Sequence, residues 1–347
     1  MRKKLWHDLL TLMVMTVELL FLSSCEKNAK DPTVATLPVS QITYCSATVG
    51  GISEGGGVLD WGVCFDTTPN PVYSIYLPTN YESFSSRGLG SYTTTHWGLI
   101  ENTTYYLRAY VEYYKSLNGQ LPHGMTSYGS EVTFKTQKLD STIVFNPNLT
   151  YGSLSDIDGN TYKTIQIGTQ VWMAENLRVT KYRDGSTIQK ITDNWGFSDT
   201  TGAYCNYGNK ATYVTTFGRL YTYYATVNSH KLCPTGWHVP SDAEWTLLET
   251  YLGGSNVAGG KLKEVGTSHW LSPNSGATNE CGFTALPGGS RYAGNFYDLG
   301  SSGFWCFAND AMCRYRNILY IDSNVSNSAL PYVDRAGDCY SVRCVKD

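Results

Sequence analysis

Cysteine gives this chain its widest chemical reach, with ten present. A thiol can be acylated, joined to another thiol or bound to a metal. No Cys-x-x-Cys occurs, which removes a thioredoxin-like dithiol, and the short ligand pairs of a structural zinc site are missing. His230, His238 and His269 also lack metal-ligand spacing, while His96 and His123 stand alone in Thr- or Gly-rich stretches. Asp156, Asp158 and Asn160 have the spacing of the first half of a calcium loop. An EF-hand would also need a Glu further along at a fixed position, and Asp-x-Asp-Gly-Asn is equally ordinary turn chemistry. His-Glu-x-x-His and P-loop patterns are absent. These residues predict no catalytic group, no metal and no cofactor, and hence a protein that is not an enzyme.

The positioning elements follow from composition and pattern. A length of 347 residues favours about two domains. Charged residues are 16%, below the usual quarter, and aromatics are 14%. Together with 34 Gly and 27 Tyr this favours β structure and turns. A net charge of −3 excludes nucleic-acid binding through a strongly basic overall field.

Met1-Arg2-Lys3-Lys4 is a basic start, and Leu9 to Leu22 is a mostly apolar run interrupted by Thr11, Thr16 and Glu18. At 1.5 Å per residue that run spans roughly 21 Å, short of the ~30 Å hydrocarbon core, so 1–24 is read as a signal peptide. Leu22-Ser23-Ser24-Cys25 resembles the bacterial lipobox. The resemblance implies lipidation of Cys25 and membrane attachment through that lipid, as an outer-membrane, surface-exposed lipoprotein. No later run approaches 18 apolar residues. Residues 25–38, polar and carrying Pro32 and Pro38, read as the lipidated tether.

Residues 39–137 show strand-like runs at Gln41–Gly50, Leu59–Asp66, Thr103–Tyr114 and Glu131–Thr136, separated by turn signals such as Gly55-Gly56-Gly57 and Asn118-Gly119. Leu99 to Tyr110 resembles the fibronectin type III pattern near its sixth strand, with Glu101 where that family usually has Pro. The resemblance implies a β-sandwich with Tyr105 as its tyrosine corner and Leu107 and Ala109 in the core. Cys45 and Cys64 fall on neighbouring expected strands, where they either form a disulfide or stay as two small buried thiols.

After a linker at 138–151, the texture changes. Tyr162–Ile167, Gly168-Thr169 and Gln170–Glu175 read as a hairpin. Ser241 and Glu244 form a capping box ahead of Trp245, Leu248 and Leu252, and Gly253-Gly254 ends that helix. Residues 152–347 closely resemble the Fibrobacter succinogenes major paralogous domain family. The matching runs include Ile167-Gly168-Thr169-Gln170-Val171-Trp172-Met173-Ala174-Glu175-Asn176-Leu177, Leu232-Cys233-Pro234-Thr235-Gly236-Trp237-His238-Val239-Pro240, Gly282-Phe283-Thr284-Ala285-Leu286-Pro287 and Ser341-Val342-Arg343-Cys344.

The resemblance implies a C-type-lectin-like fold and a Cys233–Cys344 disulfide. The whole is then mostly β, a fibronectin III-like sandwich followed by an α+β lectin-like domain. In lectin-like folds the long region after the helix carries ligand contacts, here about 266–316. Trp270, Asn274, Arg291, Tyr292, Trp305, Asn309 and Asp310 are its candidate binding residues, since flat rings with directed hydrogen-bonding groups suit a sugar. The paired carboxylate of a calcium-dependent sugar site is lacking. The leading expectation is a module for binding or adhesion to an extracellular glycan or protein. The alternatives are a structural or assembly role in the envelope and, behind both, an enzyme similar to the formylglycine-generating group, whose helix motif Pro240 to Trp245 resembles.

Overall fold

Tyr105, Leu107, Ala109, Val111 and Tyr113 are buried at alternate positions of one strand, with Tyr106, Arg108 and Glu112 less buried between them and Tyr110 buried on the other face. Around it the chain forms a first unit ending at Gln137; a second unit runs Lys138–Asp347. The computed structural model describes residues 31–74, 81–84, 89–115, 123–192, 201–308, 315–317 and 337–347. Cys25, Asn309 and Asp310 lie outside the described residues.

The first unit contains β1 (Thr33–Thr36), β2 (Ser46–Glu54), β3 (Val58–Asp66), β4 (Tyr81–Ser83), β5 (Gly90–Trp97), β6 (Thr104–Lys115), β7 (His123–Tyr128) and β8 (Val132–Lys135). They form two antiparallel sheets, β1-β2-β5 and β4-β3-β6-β7, with β8 also pairing β6. Val49, Trp61, Val63, Tyr92, Leu107 and Ala109 share one core. Tyr92 crosses that core to donate its hydroxyl to the Gly62 carbonyl, 2.9 Å away. Gly51 permits this, because a Cβ there would sit 2.5 Å from the Tyr92 hydroxyl oxygen. The Tyr105 hydroxyl accepts the Ile100 N–H at 2.9 Å, tying the strand entrance to its own loop.

Cys45 and Cys64 do not bridge. Consecutive strands β2 and β3 lie in different sheets, so closeness in sequence did not make them neighbours. Both thiols are buried and pushed up to about 12 by desolvation. Cys64 Sγ lies within hydrogen-bond reach of the Pro71 and Arg108 carbonyls.

The second unit continues with β9 (Gly152–Ser155), β10 (Thr161–Ile167), β11 (Gln170–Met173), β12 (Gln189–Lys190), β13 (Ala203–Cys205), β14 (Leu220–Thr222) and β15 (Trp237–His238). After two helices, Asp242–Tyr251 and Ser255–Leu262, come β16 (Gly288–Tyr292), β17 (Asn295–Leu299), β18 (Phe304–Cys306), β19 (Tyr315–Asn317), β20 (Cys339–Tyr340) and β21 (Val345–Lys346). One sheet has the order β15-β21-β11-β10-β9, and a second β12-β13-β14-β20-β16-β17. The hairpin β10–β11 turns between Ile167 and Gln170, with Gly168 at φ 60°. Ser241 caps its helix: its hydroxyl accepts Glu244 N–H, while the Glu244 carboxylate accepts Ser241 N–H at 2.8 Å. Trp245 then packs on Trp172 and Phe283, at centroid distances of 4.8 and 5.8 Å.

The segment expected as a linker, 138–151, belongs to the second unit. Leu139 is buried, and Val144 N–H donates to Glu264 Oε1 at 2.6 Å. Asn146 Nδ2 donates to the Asn279 carbonyl at 3.0 Å. These backbone and side-chain groups find partners more than a hundred residues away, which local composition does not reveal.

Candidate functional site

The chemistry-bearing groups of the second unit fall into three places. The first is a buried hub. Arg343 is completely buried and donates to the Phe283 carbonyl, the Thr284 carbonyl (2.8 Å) and Asn176 Oδ1 (2.8 Å). Its guanidinium carbon lies 4.2 Å from the Phe283 ring centroid. Burial pushes its pKa down to about 9, which leaves it charged at neutral pH. Asn176 Oδ1 also accepts Trp305 Nε1 at 2.9 Å, and Asn176 Nδ2 donates to the Phe217 carbonyl at 2.8 Å. The Asn176, Phe283-Thr284 and Arg343 motifs are thus one internal clasp holding the final strand to the core. They are spent on the fold and face no ligand.

The second place is a buried ion pair. His269 Nδ1 meets Glu264 Oε2 at 2.6 Å, and His269 Nε2 meets the Asp140 carbonyl at 2.7 Å. A carbonyl can only accept, so Nε2 carries a proton; the carboxylate favours a second on Nδ1. Burial alone would lower the His269 pKa, but the Glu264 carboxylate and the Asp140 carbonyl outweigh it and raise it. This pair ties 138–151 to the body of the unit.

The third place is concave. An open cavity of about 400 Å³ lies beside Cys233, lined by Arg183, Tyr223, Thr226, Lys231 and His238 together with apolar Leu232 and Val239. A second, of about 270 Å³, shares Arg183 and Cys233 and is otherwise bounded by Asp156, Ile157 and Lys181. The Cys233–Cys344 disulfide stands at their common wall, closing a loop with sequence separation 111. Arg183 is the strut: Nε donates to the Cys233 carbonyl at 2.9 Å and Nη2 to the Pro234 carbonyl at 2.8 Å and the Trp237 carbonyl. Its backbone N–H donates to the Lys231 carbonyl at 2.8 Å. His238, on β15, is held between Asp347 Oδ1 (2.7 Å) and Glu244 Oε1 (2.8 Å). Partial burial lowers its pKa, the two carboxylates raise it, and the net shift is upward.

The residues expected to bind ligand occupy other positions. Trp270 and Trp305 are completely buried. The Trp270 indole N–H donates to the Ala285 carbonyl at 2.9 Å. Asn274 is buried, with Nδ2 donating to the Glu264 and Gly266 carbonyls. Arg291 is buried on β16 and donates to the Gly337 carbonyl at 3.2 Å. Tyr292 is half-buried at the end of the same strand. The mix of rings and polar groups that suggested a sugar site is buried core packing, in which the Asn274 side-chain amide donates but its oxygen has no partner among the described residues. Residues 266–316 therefore lose four of their seven candidates, while Asn309 and Asp310 lie outside the described residues.

Asp156 is saturated by its own turn, accepting Asp158 and Asn160 N–H at 2.9 Å each and the Tyr162 hydroxyl at 2.6 Å. Asp158 accepts the Thr180 hydroxyl at 2.7 Å. Among the described residues no group of three His, Cys, Asp or Glu is placed to hold a metal ion. Gly51-Ile52-Ser53-Glu54-Gly55 has Gly-x-Ser-x-Gly spacing. It runs along β2, where Ser53 is buried and bonds the Tyr92 hydroxyl, not at the exposed strand-to-helix turn a nucleophile needs. Tyr223 stands in the Tyr-rich stretch Tyr204–Tyr224 and opens the short helix Tyr223–Thr226, whereas Arg183 and Lys231 carry no local signal, because the three converge from separate parts of the chain.

No curated protein matches the chain. Among solved structures it is similar to the sensor domain of the anti-sigma factor RsgI4 from Pseudobacteroides cellulosolvens. The shorter form is 22% identical, covering 32% of this chain and 100% of that one, with a TM-score of 0.21. The longer form is 20% identical, covering 34% and 99%, with a TM-score of 0.20. Likeness at that level carries no argument about fold or function. The profile of the Fibrobacter succinogenes major domain matches residues 165–346, more than half of the sequence and the whole frame that holds the clasp, the bridge and the cavity. On that match the chain belongs to the Fibrobacter succinogenes major domain family.

Proposed function

We propose that this is a lipid-anchored protein of the bacterial envelope whose second unit binds an extracellular glycan or protein. In this reading Cys25 carries the lipid and places the protein at the outer membrane. The first unit is a fibronectin III-like spacer, a reading supported by its two antiparallel sheets and the Tyr105-to-Ile100 hydrogen bond. The second unit is a C-type-lectin-like module, supported by its capped helix, its hairpin and the long Cys233–Cys344 bridge.

The observation that carries the binding reading is the cavity beside Cys233. It sets a half-buried tyrosine, Tyr223, among hydrogen-bonding Arg183, Thr226 and Lys231, in a volume of about 400 Å³. Small-ligand sites span ~300–1,000 Å³ and combine apolar walls with a few directed polar groups. The detergent-solubilised full chain, passed over immobilised glycans and host-matrix proteins in EDTA, is expected to be retained. Retention that disappears in Tyr223→Ala, with folding intact, supports this site. A wild-type chain retained on no surface would favour the structural role instead.

A further inference from the structure

Charge distinguishes the two walls of this cavity from ordinary surface. Three basic side chains, Arg183, Lys231 and His238, line it, and no Asp or Glu is among its lining residues. The charge of His238 is answered by Glu244 and Asp347. Asp184, next to Arg183 in the chain, is engaged with His230, and Asp158 is engaged with Lys181 and Thr180. Arg183 meets only carbonyl oxygens, and Lys231 makes no ion pair among the described residues. Two cations thus line one recess with no ion pair of their own among the described residues.

Their backbones are joined. Lys231 holds a left-handed backbone at φ 60°, its N–H donating to the Asn228 carbonyl and its carbonyl accepting Arg183 N–H. The main chains of the two residues are therefore tied together at this point. Tyr223 and Val227 add apolar surface to the same recess.

We propose that this cavity takes a carboxylate-bearing sugar unit of the uronic acid class, with Lys231 and Arg183 meeting the carboxylate and Tyr223 meeting the ring. The inference rests on the binding reading above. An inorganic anion would satisfy the cations yet leave most of the 400 Å³ unfilled. A hexose-sized acid supplies both the charge and a body with one apolar face.

The test measures affinity of the solubilised full chain for a glucuronate-terminated oligosaccharide and for its glucose-terminated counterpart. The acidic ligand is expected to bind up to about fivefold tighter at low salt, the upper scale of one exposed ion pair, and the gap should narrow as salt rises. Lys231→Asn is the probing variant, because Asn tolerates the left-handed backbone and Lys231 is exposed. It should weaken the acidic ligand by up to about fivefold, leave the neutral one unchanged and leave the melting point in place. Equal affinity for both sugars, unaltered by Lys231→Asn, would overturn the inference while the glycan reading stands. Absence of binding to any saccharide defeats both, and retention of acidic peptides in place of sugars overturns the proposed class.

Discussion

Asn176→Ala should loosen the second unit more than any exposed substitution. The side chain supplies the acceptor for Arg343 Nε at 2.8 Å and Trp305 Nε1 at 2.9 Å, and the donor for the Phe217 carbonyl at 2.8 Å. Alanine leaves all three without that partner at a site that is nine-tenths or more buried. An orphaned buried polar group costs about 1–3 kcal/mol, and a charged one more. Arg343 keeps the Phe283 and Thr284 carbonyls, so its charge is only partly stripped. Taking the low end for Trp305 and Phe217 and a middle value for Arg343 gives a loss of about 4 kcal/mol. In a unit of this size each kcal/mol moves the midpoint by roughly 2–4 °C, so calorimetry of the full chain should show a fall of roughly 8–16 °C in the transition of the second unit. Asn176→Asp retains both acceptor bonds and sets a carboxylate beside the guanidinium, and should lose less than half as much. A loss below about 1 kcal/mol in the alanine variant would refute the clasp as what holds the final strand.

Reduction of Cys233–Cys344 removes a cross-link over a separation of 111, worth up to about 5 kcal/mol in the chain-entropy model, and should lower the same transition. Alkylation of the denatured, unreduced chain should label Cys45 and Cys64 and spare Cys233 and Cys344; protection of the first pair would restore the bridge rejected above. The His269 imidazole should still be doubly protonated above pH 6.5 in the folded chain, read by its nitrogen chemical shifts. Because its folded pKa is raised, the stability it contributes is complete below about pH 6.5 and is lost as pH climbs through the folded value; Glu264→Gln should erase that dependence. Trp270→Ala should cost about 3–5 kcal/mol as a core truncation, so any lost binding would track unfolding. Cys25→Ala should abolish lipidation, and mass spectrometry finding an unmodified Cys25 inside the mature wild-type chain would refute the anchor.

Elements with local signals were legible. The β10–β11 hairpin announces itself through alternation around a two-residue turn, and the Asp242–Tyr251 helix through its capping box. Strands β5 and β7 were missed because Gly90–Trp97 and His123–Tyr128 are rich in Thr, Ser and Gly and show little apolar alternation. They are strands because β2 and β6 offer edges to pair with. The same physics hid the role of 138–151, whose partners Glu264, His269 and Asn279, and the core on which Phe145, Leu149 and Tyr151 pack, are distant in sequence. Composition also misdirected the site, since Trp270 and Trp305 look alike whether they stack on a sugar or on a core. Only burial separates the two, and burial depends on strands distant in sequence. Asn176 and Arg343 stood inside the family motifs, yet nothing local states that they bond each other.

The location of the ligand is the claim on which the rest depends. Hydrogen exchange of the full chain, measured with and without the glucuronate-terminated oligosaccharide, reads that location directly. New protection is expected across Tyr223–Val239, where Tyr223, Lys231, Cys233 and His238 line the cavity. Protection confined to 266–316, with Tyr223–Val239 unchanged, would contradict the account.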